Sequence, residues 1–114
     1  MRRDARAYLA DVLEAAELIE RFIAAADLDS YRSDPMMRSA VERQLEVVGE
    51  ALNRLTRADP ERAERIPDIS RIVGLRNVLA HGYDVVDDEV VWAAITIDVP
   101  DLAGTVTELL AESG

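Results

Sequence analysis

The sequence predicts an all-α protein, an up-and-down bundle of four to five helices in a single domain over residues 1–114. Apolar residues recur at steps of three and four along most of the chain, a spacing that puts them on one face of a helix. The sequence has no period-two alternation of useful length, no hairpin turn signal and no internal repeat, so β-strands are not expected. A length of 114 residues is typical of one domain.

The first helix is predicted over residues 4–26. Its main apolar face consists of Tyr8, Val12, Ala15, Ile19, Phe22 and Ala26. Four further residues widen this face into a core-facing stripe, namely Leu9, Leu13, Ala16 and Ile23. The segment DLDSYRSDP then breaks the pattern. Ser33 or Asp34 can cap the next helix, and Pro35 suits its first turn.

The second helix is predicted to run to about Arg57 and carries two stripes. The apolar stripe is Met37, Val41, Leu45, Val48, Leu52 and Leu55. The polar stripe has the same spacing and consists of Arg43, Glu46, Glu50 and Asn53. One interpretation is a solvated face with Arg43–Glu46 and Glu50–Arg54 pairs, each worth a few tenths of a kcal/mol. The other is that these residues line a polar site.

A connector with two prolines, ADPERAERIPDIS, has room for one helical turn. The third helix is predicted to begin near Asp68 or Ser70 and to end at about His81, where Gly82 is a natural stop. Its inward residues are Ile69, Ile72, Val73, Leu75 and Leu79.

The last helix is predicted to begin after Asp87 or Asp88, since either residue can cap it. Its apolar positions are Trp92, Ile95, Val99, Leu102, Val106 and Leu109. These positions keep their helical phase through Pro100, although proline usually interrupts a helix. Preserved phase favours one long helix kinked at Pro100 over two separate helices.

The composition narrows the possible functions. The chain has no cysteine, which excludes disulfides and thiolate metal sites. Its 23 acids face 13 arginines and no lysine, a net charge of −10, so general attraction to nucleic acid is absent. A function on RNA or DNA would require a local positive site; alternatively, the acidity suits a basic protein partner. No apolar run approaches a membrane span of roughly 18 residues, and acids interrupt the N-terminal apolar pattern, so a cytoplasmic protein is expected.

Four polar residues gather in the stretch LRNVLAHGYD, residues 75–84: Arg76, Asn77, His81 and Tyr83. Asn77 and His81 are four residues apart and share a helix face, and Arg76 and Tyr83 share a neighbouring one. In a purely structural interpretation, a charged His81 caps the helix end and Arg76 pairs with an acid.

The same residues also suit metal-free RNA cleavage. A guanidinium can hold a phosphate through two hydrogen bonds, and an imidazole can move protons near neutral pH. The ribose 2′-hydroxyl needs a base and the leaving 5′-oxygen needs an acid, which one histidine cannot easily supply at once. A symmetric homodimer would bring two copies of His81 to one groove.

The stretch RNVLAHGY resembles the Arg–polar–three to five residues–His signature of HEPN domains, in the extended form with a following tyrosine that is found in HepT-like toxins. LEVVGEALNRL resembles the second helix of that family. The segment from IPDIS to DVPDL, residues 66–102, resembles its connector through its last helix.

The resemblance implies a metal-independent endoribonuclease toxin that needs no cofactor and has a small nucleotidyltransferase antitoxin (MNT) as its partner. Arg76 and His81 match the catalytic pair, and Asn77 matches the polar residue that orients the site. Tyr83 matches the tyrosine to which such antitoxins transfer AMP, which silences the nuclease.

Three alternatives stay open. The chain could be a non-catalytic HEPN module that binds nucleotide or RNA and assists a nucleotidyltransferase. It could be a metal-dependent hydrolase built on Asp84, Asp87, Asp88 and Glu89, although acids at a helix start are favoured as caps. It could also be a structural dimerisation domain.

Overall fold

The computed structural model describes residues 4–80 and 87–112, and within these ranges the chain is all-α. The helices are α1 Ala5–Ile23, α2 Leu28–Ser33, α3 Pro35–Ala58, α4 Pro60–Glu64, α5 Ile69–Ala80, α6 Asp88–Ala93 and α7 Val99–Glu112, with a π-helical segment Ala94–Asp98 between α6 and α7. Helix α3 packs against α1 and α5, and α1 also packs against α7. The predicted helical bundle is therefore confirmed.

Capping residues set where the long helices begin. The Asp34 side chain accepts a hydrogen bond from the Met37 N–H at 3.1 Å, with Pro35 in the first turn of α3, as predicted. Asp87 caps α6 in the same way, since its carboxylate accepts from the Glu89 N–H at 2.9 Å. These bonds satisfy N–H groups that a helix start leaves unpaired.

The segment DLDSYRSDP differs from the prediction, because it holds the short helix α2 instead of only a break. Asp27 and Ser30 close a reciprocal capping box, which stabilises this single turn and a half. Tyr31, on this helix, is completely buried and lies against Trp92, with the ring centroids 5.4 Å apart. The sequence pattern did not indicate this core position.

The core consists of two groups of buried side chains. The first joins α1, α3, α4 and α7, with Leu9, Val12, Leu52, Leu55 and Val106 among its members. The second joins α1, α2, α3 and the last helical run, with Ile19, Tyr31, Val41, Ile95 and Val99 among its members. The prediction for the end of the first helix was wrong: α1 ends at Ile23, and Phe22 in its last turn is 37% exposed.

The last helical run passes through Pro100 by way of the π segment. Proline has no N–H, and its ring collides with the carbonyl four residues earlier in a regular helix. The wider π turn Ala94–Asp98 ends two residues before Pro100 and relieves this steric conflict. The sequence pattern placed Trp92 on the apolar face of this run. In the structure Val91 is fully buried and Trp92 is half-buried.

Residues Asp88–Glu112 form a run of 25 residues that is long and apolar enough to cross a membrane, by length and composition alone. Its inward residues Val91, Ile95, Val99, Leu102, Val106 and Leu109 are buried in the bundle. The prediction that no apolar run approaches the length of a membrane span is therefore wrong by this measure, and 33% of the most apolar window of the run is buried.

Candidate functional site

Helices α3 and α5 are in close contact at Gly49 and Arg76. A Cβ atom on Gly49 would lie 2.2 Å from the Arg76 Cβ and 2.5 Å from its Cγ, distances that real contacts do not allow. Only glycine therefore permits this crossing, and its position fixes where the Arg76 side chain starts. Apolar periodicity does not reveal such a contact, and the sequence did not single out Gly49.

The Arg76 guanidinium is held on two sides. Its Nη2 donates to Oε2 of Glu50 at 2.6 Å, and its Nη1 donates to Oδ1 of Asn77 at 3.0 Å. Its Nε is buried and has no hydrogen-bond partner among the described residues. The side chain as a whole is 26% exposed. Arg76 is thus anchored from within the protein while part of its side chain remains exposed at the protein surface.

Arg76 lines a cleft of about 310 Å³ between α1, α3 and α5. The lining residues are Tyr8, Asp11, Arg43, Glu46, Val47, Glu50, Ala51, Arg54 and Arg76. Three of the four residues in the polar stripe of α3 are among them, while Asn53 is half-buried and is not part of the lining.

Both interpretations of this polar stripe fit parts of the structure. The predicted ion pairs are present, Arg43–Glu46 at 3.6 Å and Arg54–Glu50 at 3.1 Å. The same side chains nevertheless face the cleft that contains Arg76, so they are not merely a solvated surface.

The cleft differs electrostatically from the rest of the protein. Its lining has three arginines and three acids, a local balance of zero in a chain of net charge −10. An anion that approaches the cleft therefore meets less repulsion than elsewhere on the acidic surface. The cleft is therefore neutral and not the local positive site that the sequence required, because its arginines are paired with carboxylates.

Part of the predicted motif lies outside the described residues. This applies to His81, Gly82 and Tyr83, so neither the Arg76–His81 pairing nor the capping alternative for His81 is described. Helix α5 is described up to Ala80, the residue directly before His81. The pairing of Arg76 with an acid, which the structural interpretation predicted, is confirmed by the 2.6 Å contact with Glu50. The functional roles of Arg76, Asn77, His81 and Tyr83 stay predictions.

The acidic segment before α6 has structural contacts in its described part. Asp87 caps the helix, and Glu89 pairs with Arg32 of α2 at 2.6 Å. The charge of Asp88 in this segment also affects Glu42 of α3. Burial, and secondly this charge, raises the pKa of the Glu42 carboxyl above its ordinary value. Among the described residues, no three His, Cys, Asp or Glu side chains gather as metal ligands would, and Asp84 lies outside them.

A second cavity, of about 260 Å³, runs between α5 and the α6–π region. Its walls are mainly apolar and include Leu75 and Val78 of α5 and Val90 of α6. Val90 is 55% exposed and Val78 is 37% exposed, so this apolar groove opens to solvent close to the helix that carries Arg76.

Comparison with known proteins gives a consistent result. The model of a family described as "Ribonuclease HepT-like" matches residues 12–109. A Methanocaldococcus jannaschii protein provisionally named as an RNase is 35% identical over 101 residues, which cover 89% of this chain and 92% of that protein.

Two further relatives cover similar shares. A Caldanaerobacter subterraneus protein, also provisionally named as an RNase, is 30% identical over 92% of this chain and 93% of its own length. A Thermococcus cleftensis protein named as a probable ribonuclease HepT is 34% identical over 96% of this chain and 98% of its own length. No solved structure matches the chain.

Proposed function

This chain belongs to the Ribonuclease HepT-like family, and from that premise we propose that it is an endoribonuclease that cuts RNA without a metal ion. The ribose 2′-oxygen attacks the adjacent phosphate, the 5′-oxygen leaves, and the product ends in a 2′,3′-cyclic phosphate. Arg76 offsets the charge that develops on the phosphorane, and His81 moves the protons.

The single observation that carries this proposal is the geometry of the Arg76 guanidinium at the cleft. The bonds to Glu50 and Asn77 each use one hydrogen, on different terminal nitrogens, and each of these nitrogens carries a second hydrogen. Bidentate binding of a phosphate uses one hydrogen from each of two nitrogens, and both terminal nitrogens of Arg76 keep one. Arg43 and Arg54 line the same cleft and lie where neighbouring charge on an RNA strand would be favoured.

The proposal is tested with purified protein, RNA and EDTA. Cleavage should persist in EDTA and His81→Ala should abolish it. Arg76→Ala should lower the rate on the order of a hundredfold, because a transition-state charge contact contributes about 3 kcal/mol. Arg76→Lys should recover only part of the rate, since lysine lacks the planar fork.

The matched control is Arg65→Ala, which removes an exposed arginine that pairs with Glu112 away from the cleft. Its rate should equal that of the unmodified protein. Reversible loss of activity in EDTA would favour the metal-dependent alternative. Absence of cleavage by the unmodified protein, combined with RNA binding that needs Arg76, would favour the non-catalytic HEPN module.

We further propose that the active species is a symmetric homodimer with both copies of His81 at one groove. The apolar groove with exposed Val78 and Val90 supports this, because it lies on the helix that leads into His81 and offers apolar surface to a second copy. If both imidazoles serve one groove, adding inactive His81→Ala chains to a co-refolded mixture lowers activity as the square of the wild-type fraction. A linear fall, or a monomer by light scattering at micromolar concentration, contradicts the shared groove.

The proposed regulation is that of a toxin held inactive by an MNT nucleotidyltransferase antitoxin. In this step the Tyr83 oxygen would attack the α-phosphate of ATP, lose its proton and release pyrophosphate. The attached AMP group would add a negative phosphate that competes with RNA for Arg76, and its nucleoside would fill the groove. Incubation with the cognate enzyme, ATP and magnesium should add the mass of AMP and stop cleavage. Tyr83→Phe should remain active and unmodified. An equal adduct on Tyr83→Phe would remove this tyrosine from the mechanism.

A further inference from the structure

We propose that Glu50 is a positioning residue for Arg76: it holds the guanidinium at the wall of the cleft in the orientation that presents its two terminal nitrogens to a phosphate. The inference rests on the proposed ribonuclease function and adds to it a residue from a different helix. Glu50 is not assigned contact with RNA, since it acts through Arg76.

The contacts of Glu50 are those of a bridging carboxylate. Oε2 accepts from Arg76 at 2.6 Å, and Oε1 lies 3.1 Å from Nη2 of Arg54. Each oxygen thus engages a different arginine, which fixes the rotation of the carboxylate group. A short, charge-assisted bond to such an oriented group restrains the guanidinium more strongly than a neutral acceptor would.

The surroundings of the rest of the Arg76 side chain leave one mode of phosphate binding available. The stem is confined at Gly49, and Nε is buried without a hydrogen-bond partner among the described residues. Side-on binding of a phosphate by Nε and Nη2 is therefore blocked by burial. End-on binding by the second hydrogens of Nη1 and Nη2 is the mode that remains, and it depends on the plane that Glu50 and Asn77 set.

The neighbouring carboxylate in the same stripe does not share this task. Glu46 lies one turn earlier on α3 and pairs with Arg43 at 3.6 Å. Arg43 itself is 70% exposed, so this pair is a surface contact of small energy. The inference therefore concerns Glu50 and not the acids of the cleft in general.

The test is Glu50→Gln, which keeps the size of the side chain and removes its charge. We expect kcat for RNA cleavage to fall about tenfold while KM changes by less than about twofold, because a misplaced guanidinium weakens a contact made in the transition state. Glu50→Asp keeps the charge but is shorter, so it should recover part of the loss. The matched control is Glu112→Gln, which breaks a similar 2.6 Å pair with Arg65 outside the cleft and should leave kcat unchanged.

A second readout reports position directly. In protein with nitrogen-15-labelled arginine, the Arg76 guanidinium signals are assigned by their absence from Arg76→Lys. Glu50→Gln should speed the rotation and hydrogen exchange of these signals, whereas Glu112→Gln should leave them unchanged. A merely structural role for Glu50 would change the unfolding temperature without this selective effect.

Three results would overturn the inference: unchanged kcat together with unchanged Arg76 signals, a loss of kcat that only follows a loss of folded protein, or a rise in kcat. The last would mean that Glu50 competes with RNA for Arg76. If the unmodified protein cleaves no RNA, the ribonuclease proposal fails by itself. The guanidinium signals then still decide whether Glu50 positions Arg76.

Discussion

Gly49→Ala should destabilise the protein, because there is no room for one extra methyl group between α3 and α5. The added Cβ would lie 2.2 Å from the Arg76 Cβ, which is 1.2 Å short of an ordinary contact that begins at 3.4 Å. The obstacle is the start of a helical side chain and not its flexible end, so the helices themselves must move apart.

The expected size of the effect is a balance of two terms. Overpacking in a well-packed contact costs about 1–3 kcal/mol. Replacing glycine by alanine inside a helix contributes about 1 kcal/mol in the opposite direction. The balance is a net loss of up to about 2 kcal/mol, and each kcal/mol lost lowers the unfolding temperature by roughly 4–8 °C in a domain of about this size.

The assay is thermal unfolding followed by circular dichroism, with Gly104→Ala as the matched control. Gly104 also lies within a helix, α7, and nothing lies within 4 Å of a Cβ built on it. The control should therefore unfold at a higher temperature than the unmodified protein. If Gly49→Ala were stabilised to the same extent as Gly104→Ala, the close crossing at Arg76 would be refuted.

Other changes test separate features. Tyr31→Phe should leave the free energy of unfolding unchanged or raise it by up to about 1 kcal/mol, because the hydroxyl is buried without a hydrogen-bond partner among the described residues; a clear loss in urea unfolding would contradict this. Asp34→Ala should lower the unfolding free energy by about 1 kcal/mol through loss of the cap bond to Met37, and an unchanged value would argue against that bond. Burial and Asp88 raise the pKa of Glu42 in the folded state. Protonated Glu42 therefore contributes its full stabilisation below its ordinary pKa, and this contribution is lost as the pH rises through the raised value. Glu42→Gln should therefore raise the unfolding temperature more at about pH 7 than at about pH 4, and an equal gain at both would show that the charge of Glu42 is not involved.

The sequence predicted the long helices well because their signals are local. Apolar residues at steps of three and four mark a buried face, and a capping side chain such as Asp34 or Asp87 bonds to backbone only two or three residues away. Helix α2 was missed because six residues are too few to show a period. Tyr31 was missed as a core residue because it packs against residues far along the chain, Trp92 among them.

The candidate site could be predicted only in part. The spacing of Arg43, Glu46 and Glu50 predicted that they share one face of α3, because this depends only on helical geometry. That this face meets Arg76 depends on how α3 crosses α5, and periodicity contains no information on the crossing of two helices. The close contact at Gly49 determines where α3 and α5 cross, and a single glycine in a helical sequence does not predict such a contact.

The pairing of each arginine in the cleft with a carboxylate bears on how RNA binding should respond to salt. A basic groove releases counterions when RNA binds, and its affinity falls steeply as salt is added. Here three acids of the lining, Asp11, Glu46 and Glu50, balance its three arginines, so little net positive charge is available to release ions. Added salt also screens the repulsion between RNA and a chain of net charge −10. The affinity for RNA should therefore change little with ionic strength, and an RNA would be selected by how one phosphate fits the Arg76 fork instead of by its total charge.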